Sequence, residues 1–271
     1  MPGNKVISDD QSLLEQVIRE AGDLALKYYN SSARSWNKGD GTPVTEADLA
    51  VDAFLKDALM RDRPDYGWLS EETTDNHERL SRERVWIVDP IDGTRSFVER
   101  TGEWCISIAL VENGKPVLAR VFRPLTQDMY GAVPGGGANL NGKLISTSGR
   151  MELENCRMMT RSRALASTRW KKSWPHMQTG IATSLALRLC LVADGSFDGT
   201  IALGNKCDWD LAAGDLIVRE AGGYVTNIEG TRMAYNKQET RQPGGVIAAG
   251  RPLHEKILQQ TKSNKTEPQV Q

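Results

Sequence analysis

One segment of the chain, Asp89-Pro90-Ile91-Asp92-Gly93-Thr94, combines residue types that suit metal chemistry. Asp89 and Asp92 are three positions apart, so in a tight loop their carboxylates can converge on one side, and hard cations such as Mg²⁺ prefer oxygen ligands of this kind. Pro90 stiffens the loop, so that a backbone carbonyl such as that of Ile91 can face the same ion. The segment therefore predicts a metal site.

The end of this segment adds an anion-binding feature. Gly93 lets a substrate approach the backbone closely, and a helical turn that begins at Thr94 has free N–H groups for a phosphate. An Asp-Gly-Thr sequence by itself is typical of a polar turn before a capped helix. The full segment follows an apolar strand predicted at 85–88, and other acids are available, which favours metal binding.

Further acids stand at the ends of other predicted elements. Glu71 follows a short apolar strand, and Asp210 precedes an apolar helix. Each has an ordinary explanation, since Glu71 with Glu72 suits a solvated surface pair and Asp210 suits a helix N-cap. Together with Asp89 and Asp92, however, they supply several carboxylates from separated segments, as a site for two or three metal ions requires.

The elements that position these acids follow from the hydrophobic pattern. Apolar residues at three- and four-residue steps predict helices over 9–29 and 46–61, the second capped by Thr45. A meander of strands follows, and the second half mixes short strands with helices over 183–193 and 211–221. This order predicts helices layered on two sheets.

The same pattern suggests two halves that enclose the site. We expect an N-terminal α+β half over 1–149, which carries the helix pair, the meander sheet and the metal-binding loop. A C-terminal α/β half over 150–263 would close the site, and a polar tail over 264–271 is expected to be disordered.

Composition excludes several classes of protein. The 271 residues carry 34 basic and 35 acidic side chains, a net charge of -1, which gives no overall field for nucleic acid or an anionic membrane. The four cysteines form no C-x-x-C pair, so neither a zinc site nor a redox motif is indicated. With no apolar signal core and no long apolar run, we expect a cytoplasmic protein without membrane or nucleic-acid partners.

These motifs, in their order and spacing, resemble the inositol monophosphatase superfamily of Mg²⁺-dependent, lithium-sensitive phosphatases. The similarity covers about residues 13 to 257, and some features are similar to bacterial 3'(2'),5'-bisphosphate nucleotidases. It rests on Ser70-Glu71-Glu72, on Asp89 to Thr94, on the segment from Trp209-Asp210 to Gly222-Gly223, on Lys38 with Pro43 to Asp48, and on Gly136 to Gly142.

The resemblance implies metal ligands one residue at a time. Glu71, Asp89 and the carbonyl of Ile91 would bind a first Mg²⁺, and Asp89, Asp92 and Asp210 a second. Glu71 would also hold a weak third ion. Lithium inhibition would follow from Li⁺ replacing one Mg²⁺.

It also implies the catalytic and phosphate-binding residues. Thr94 would orient the attacking water with the help of Asp48, and Glu71 completes the catalytic set. The backbone amides of Gly93 and Thr94 would hold the phosphate. The fold implied is α/β (α+β), a five-layered αβαβα sandwich, and the enzymes of this superfamily are usually homodimers.

The substrate expected is a small phosphate monoester, with myo-inositol 1-phosphate first and 3'-phosphoadenosine 5'-phosphate as the alternative. Inositol monophosphatases carry a glutamate on the strand before the Trp-Asp motif, and residues 200–203 offer no acid. For a nucleotide, Arg95, Arg161 and Arg188 could provide charge, and Trp170 or Trp174 could provide a face for adenine. We interpret these arginines as solvated surface residues and the tryptophans as packing residues. An alternative of another class is a regulatory binding protein associated with RNA or transcription.

Overall fold

The computed structural model describes residues 2–31, 33–39, 41–166, 170 and 172–261. The tail predicted to be disordered, 264–271, lies outside these residues. Among the helices of the described ranges, none combines the length and the apolar character needed to cross a bilayer.

Two helices form the first layer. Helix α1 (Pro2–Asn30) begins before the predicted residue 9. A hairpin of β1 (Ser35–Asn37) and β2 (Pro43–Thr45) leads into α2 (Glu46–Asp62). The predicted cap of α2 is confirmed, because the Thr45 side chain accepts from the Asp48 amide and the Asp48 side chain accepts from the Thr45 amide.

A seven-stranded sheet packs on these helices, in the order β3-β4-β5-β6-β7-β8-β9. Only the β3–β4 pair in it is parallel. A buried apolar cluster that includes Leu14, Leu55, Trp86 and Phe122 joins the sheet to α1 and α2. The strands are β3 (Gly67–Ser70), β4 (Arg84–Asp92), β5 (Cys105–Glu112), β6 (Lys115–Arg123), β7 (Asp128–Ala132), β8 (Ala138–Leu140) and β9 (Lys143–Ile145).

The short helical segments lie in connections between strands, and the longer helices form two further layers. A 3₁₀ turn lies at Glu78–Ser81 between β3 and β4. The remaining helices are α3 (Thr94–Glu99), α4 (Ser162–Leu165), α5 (Leu185–Ala193), α6 (Asp208–Glu220) and α7 (Arg251–Thr261).

Helices α5 and α6 form the central layer. They pack side by side, and their buried apolar side chains contact strands of the seven-stranded sheet on one side and of a five-stranded sheet on the other. A separate apolar cluster joins the five-stranded sheet to α7. That sheet has the order β11-β10-β12-β16-β14, formed by β10 (Arg157–Met159), β11 (Gln178–Gly180), β12 (Gly199–Ala202), β14 (Gly223–Thr226) and β16 (Val246–Gly250), with β13 (Lys206–Cys207) and β15 (Arg241–Gln242) paired separately.

The predicted five-layered αβαβα sandwich is confirmed. From one face to the other, the layers are α1 with α2, the large sheet, α5 with α6, the small sheet, and α7. Since α6 lies between the sheets, its first turn reaches the sheet edge at which β3 and β4 end.

Candidate active site

Two neighbouring strands bring acids to one edge of the large sheet. Strands β3 and β4 are parallel, so their carboxyl ends coincide; Glu71 follows β3, and Asp89 and Asp92 lie at the end of β4. In a regular strand, side chains three positions apart point to opposite faces. The pairing of β4 with β5 is irregular between Asp89 and Asp92, and this bulge turns both carboxylates toward the same space.

Asp210 completes a cluster of three carboxylates. It lies in the first turn of α6, two residues inside the helix and not before it as predicted, and its side chain accepts a hydrogen bond from the Cys207 amide at 2.7 Å. Side-chain oxygens of Asp89, Asp92 and Asp210 all lie within 4.8 Å of one another. Such a group of oxygens matches the donor set that Mg²⁺ takes from proteins.

Hydrogen bonds to the protein hold one oxygen of each carboxylate. Oδ2 of Asp92 accepts from the Ser184 hydroxyl at 2.7 Å and from the Ala186 amide at 2.6 Å, at the start of α5. Oδ1 of Asp89 accepts from the Ile91 amide at 3.1 Å. Each acid thus has a fixed orientation and a second oxygen that is available to a cation.

The pKa values of the three clustered acids are raised by burial and by the negative charges of their neighbours. Burial, and then the charge of Glu71, raises the pKa of Asp89 well above its usual range. Burial raises the pKa of Asp92 to about 6, although hydrogen bonds from the Ser184 hydroxyl and the Ala186 amide oppose the change. Burial and the charge of Asp92 raise the pKa of Asp210 to about 7. A bound cation relieves this repulsion, because it favours the ionised form of each acid.

Glu71 lies beside this cluster and has its own partner. Its Oε1 accepts from the Lys38 ammonium at 3.0 Å, and the same ammonium donates to Glu72 at 2.6 Å. Burial raises the pKa of Glu72 to about 7. The loop around Lys38 therefore contacts the end of β3 through a pair of acids.

A threonine and an aspartate link the loop after β4 to α2. The Thr94 hydroxyl lies 3.1 Å from Oδ1 of Asp48 and 3.2 Å from the Ile91 carbonyl. Asp48 is buried, and the loss of hydration raises its pKa to about 6. The Thr94 hydroxyl proton is therefore directed to an acceptor, which leaves the oxygen lone pairs for another donor.

Gly93 precedes the predicted helical turn, which the structure contains as α3. Its φ is +97°, and a Cβ there would lie 2.8 Å from the Glu103 carbonyl oxygen. Any side chain at this position would therefore strain the backbone of Gly93 and collide with the backbone that precedes β5. The conformation of Gly93 therefore determines the direction in which the first N–H groups of α3 point.

A cavity of about 690 Å³ adjoins the acid cluster. Asp92 and Asp210 line one side, and the other charged residues of its wall are basic: Arg161, Arg163, Arg188 and Lys206. Our interpretation of Arg188 as a solvated surface residue is wrong, because its side chain is only 8 % exposed and its Nε donates to the Ala182 carbonyl at 2.6 Å. A basic wall beside an acidic cluster suits an anion bound next to cations.

Sequence reasoning did not find two parts of this site. Ser184, which orients Asp92, has the local signal of a helix N-cap, a role it also fills by accepting from the Leu187 amide at 3.0 Å. Lys206 carries no motif, and three backbone carbonyls of residues 203–205 accept from its ammonium. Neither residue's position beside the acids is visible in the local sequence.

Comparison with known proteins agrees with this geometry. The chain matches the inositol monophosphatase family over residues 8–266. It is 32% identical over 234 residues to the 3'(2'),5'-bisphosphate nucleotidase CysQ of Escherichia coli K12, covering 83% of this chain and 93% of that protein. It is 34% identical over 231 residues to the Nus factor SuhB of Xylella fastidiosa, covering 81% and 82%.

A solved structure supports the same assignment. An IMPase from Thermotoga maritima superimposes with a TM-score of 0.80 and 28% identity, covering 93% of this chain and 96% of that one. The family match extends over nearly the whole chain and includes all the motifs of the acid cluster. The chain therefore belongs to the inositol monophosphatase family and is a phosphatase of that superfamily.

Proposed function

We propose that this protein is a Mg²⁺-dependent phosphomonoesterase with two or three bound ions. The observation that carries the proposal is the convergence of the Asp89, Asp92 and Asp210 carboxylates within 4.8 Å. Glu71 and the Ile91 carbonyl would complete the ligands, with Glu71 also available to a weakly bound third ion. When bound, the ions would lower the pKa of the attacking water and neutralise the leaving oxygen.

The protein's own groups would orient that water. The Thr94 hydroxyl donates to Asp48 at 3.1 Å, so its oxygen can accept a hydrogen bond from water and direct a lone pair of the water toward phosphorus. Asp48 can hold a proton, since burial raises its pKa to about 6. Glu71 would act in the same reaction through the ion that it binds. The contribution of these residues is mainly position and charge.

The phosphate would lie on the backbone of the same loop. The amides of Gly93 and Thr94 begin α3, where N–H groups have no intrahelical partner and carry partial positive charge. The φ of +97° at Gly93 determines their direction. Two backbone donors beside the acid cluster suit the non-bridging oxygens of a phosphate ester.

The cavity supports a substrate with a second anionic group. Four basic side chains line it, and the acids in its wall are the proposed metal ligands, so ions and basic residues together favour two phosphates. The similarity to CysQ, named a 3'(2'),5'-bisphosphate nucleotidase, agrees with this reasoning. We therefore rank 3'-phosphoadenosine 5'-phosphate first and myo-inositol 1-phosphate second, which reverses the order favoured by the sequence.

A panel of substrates tests both parts of the proposal. We expect phosphate release from 3'-phosphoadenosine 5'-phosphate that requires Mg²⁺ and falls when Li⁺ is added. Arg161 lines the cavity, and Arg161→Gln should raise KM for the bisphosphate by roughly tenfold while changing KM for myo-inositol 1-phosphate little. Exposed Arg61 provides the matched control, Arg61→Gln. Faster turnover of myo-inositol 1-phosphate, or equal effects on both substrates, would favour the inositol phosphate.

A binding role is the second candidate. The relative named Nus factor SuhB suggests it, although a net charge of -1 provides little attraction for RNA. Failure to release phosphate from either substrate or from fructose 1,6-bisphosphate, with Mg²⁺ present, would favour that role. We also propose a homodimer, which light scattering tests directly.

A further inference from the structure

A buried arginine lies in the connection between β3 and β4, the two strands that lead to the acids of the site. Arg79 is in the 3₁₀ turn Glu78–Ser81 and is 1% exposed. Its Nε and Nη2 donate to both carboxylate oxygens of Asp75, at 3.1 and 2.8 Å. Its Nη1 donates to Oδ1 of Asn236 at 2.7 Å and to the Lys237 carbonyl at 3.0 Å. The guanidinium therefore joins two segments that are more than 150 residues apart along the chain.

On one side, Arg79 is fixed against strand β3. A Cβ on Gly67 would lie 2.9 Å from Cβ of Arg79 and 3.0 Å from its Cα, so the turn packs directly on the backbone of the strand. Glu71 follows that strand. The position of Arg79 is thus tied to the first residue of β3, the strand whose other end presents Glu71.

On the other side, Arg79 reaches the first turn of α6 through one residue. The amide of Asn236 donates to Oδ2 of Asp208 at 2.7 Å, and Gln242 donates to Oδ1 of Asp208 at 2.6 Å. Asp208 is fully buried and is the first residue of α6, two positions before Asp210. Arg79, Asn236 and Asp208 thus form a continuous chain of hydrogen bonds. It ends two residues before Asp210, the member of the acid cluster that α6 contributes.

We propose that Arg79 is a positioning residue for the metal site, and this inference depends on the proposed function. Through Asn236 and Asp208 it fixes the start of α6, and with it Asp210, relative to strand β3, which leads to Glu71. The restraint matters because three carboxylates within 4.8 Å repel one another until a cation binds. Arg79 does not line the cavity beside the acids, so its effect is on geometry and not on the substrate.

The test measures metal affinity and not turnover. Calorimetric titration with Mg²⁺, in the absence of substrate, gives the dissociation constant of the folded protein. We expect Arg79→Met to weaken Mg²⁺ binding by about tenfold or more, the range found when groups that orient metal ligands are lost. Exposed Arg82 in the same segment gives the matched control, and Arg82→Met should bind Mg²⁺ like the wild type.

A second variant tests the path without removing a buried charge. Asn236 has a φ of +58°, a conformation that glycine adopts readily, so Asn236→Gly deletes the Oδ1 acceptor and keeps the backbone. It should also weaken Mg²⁺ binding, by less than Arg79→Met, and the double variant should bind Mg²⁺ no more weakly than Arg79→Met alone. If Arg79→Met fails to fold, Asn236→Gly alone decides the question.

The outcomes separate this inference from the proposed function. Reduced stability with an unchanged Mg²⁺ dissociation constant in both variants would reduce Arg79 to a structural residue and overturn the inference alone. Additive losses in the double variant would overturn the path through Asn236. A wild-type protein that binds no Mg²⁺ would overturn the proposed function and the inference together.

Discussion

Replacing Asp210 with asparagine tests whether the acid cluster is a site prepared for cations. Asparagine keeps an oxygen that can accept from the Cys207 amide, so the first turn of α6 stays capped. It removes the negative charge within 4.8 Å of Asp89 and Asp92. We therefore expect the metal-free D210N variant to be more stable than the metal-free wild type at pH 8, and inactive as an enzyme.

The magnitude follows from the pKa of Asp210. Burial and then the charge of Asp92 raise this pKa from 3.8 to about 7. A rise of about 3 in pKa corresponds to about 4 kcal/mol between the ionised and protonated forms. Because Asp210 is partly exposed to the cavity, water screens some of the repulsion, and we expect a gain of about 2 to 4 kcal/mol.

The sign of the pH dependence follows from which state binds the proton more tightly. The folded protein holds the Asp210 proton up to about pH 7, whereas the unfolded chain loses it near pH 3.8. The penalty for ionising Asp210 is therefore absent at low pH, grows as the pH rises, and is complete above about pH 7. The stability advantage of D210N should vanish near pH 4 and be largest at pH 8.

The assay is urea unfolding in EDTA at several pH values, repeated with excess Mg²⁺. Ligand binding to the folded state stabilises the wild type, so Mg²⁺ should raise its unfolding free energy far more than that of D210N. Phosphate release by D210N should fall by about 10³-fold or more, since the power of the site is mainly electrostatic. Asp57 has a side chain that is 80% exposed, and D57N is the control for losing a carboxylate.

One result would refute this reasoning. If metal-free D210N is less stable than the wild type at pH 8, or if their difference does not change between pH 4 and pH 8, the three carboxylates do not repel one another in the folded protein. Asp210 would then be a helix-capping residue, and the argument for a shared cation would fail.

Three further changes probe separate parts of the site and fold. Thr94→Val removes the hydroxyl that donates to Asp48 and should lower kcat by about 10²-fold or more, while Thr94→Ser should retain most activity. Gly93→Ala should reduce the unfolding free energy by about 2 kcal/mol or more, because its Cβ would meet the Glu103 carbonyl at 2.8 Å with φ at +97°; unchanged urea unfolding would contradict this. Burial lowers the pKa of His254 to about 4, so the folded state resists its protonation and stability is lost as pH falls from 6.5 toward 4; His254→Gln should lessen that loss in urea titrations, and an identical pH profile would count against it.

Local sequence determined the elements and the identity of the central residues. The spacing of apolar residues identified α1 and α2, and Thr45 with Asp48 formed the predicted capping box. A helical turn follows the segment from Asp89 to Thr94, as expected, but the strand continues to Asp92 and does not stop before Asp89 as predicted. These features depend on hydrogen bonds and side chains within a few residues, so the sequence contains their full signal.

Only the tertiary structure decided how the residues meet. The bulge between Asp89 and Asp92 depends on pairing with β5, and the orientation of Asp92 depends on Ser184, which lies 92 residues further along the chain. Arg188 became part of a basic wall because α5 lies between two sheets. Contacts of this kind arise from long-range packing, for which a single sequence carries no local pattern; the acids were therefore predictable one by one, and the charge of the cavity beside them was not.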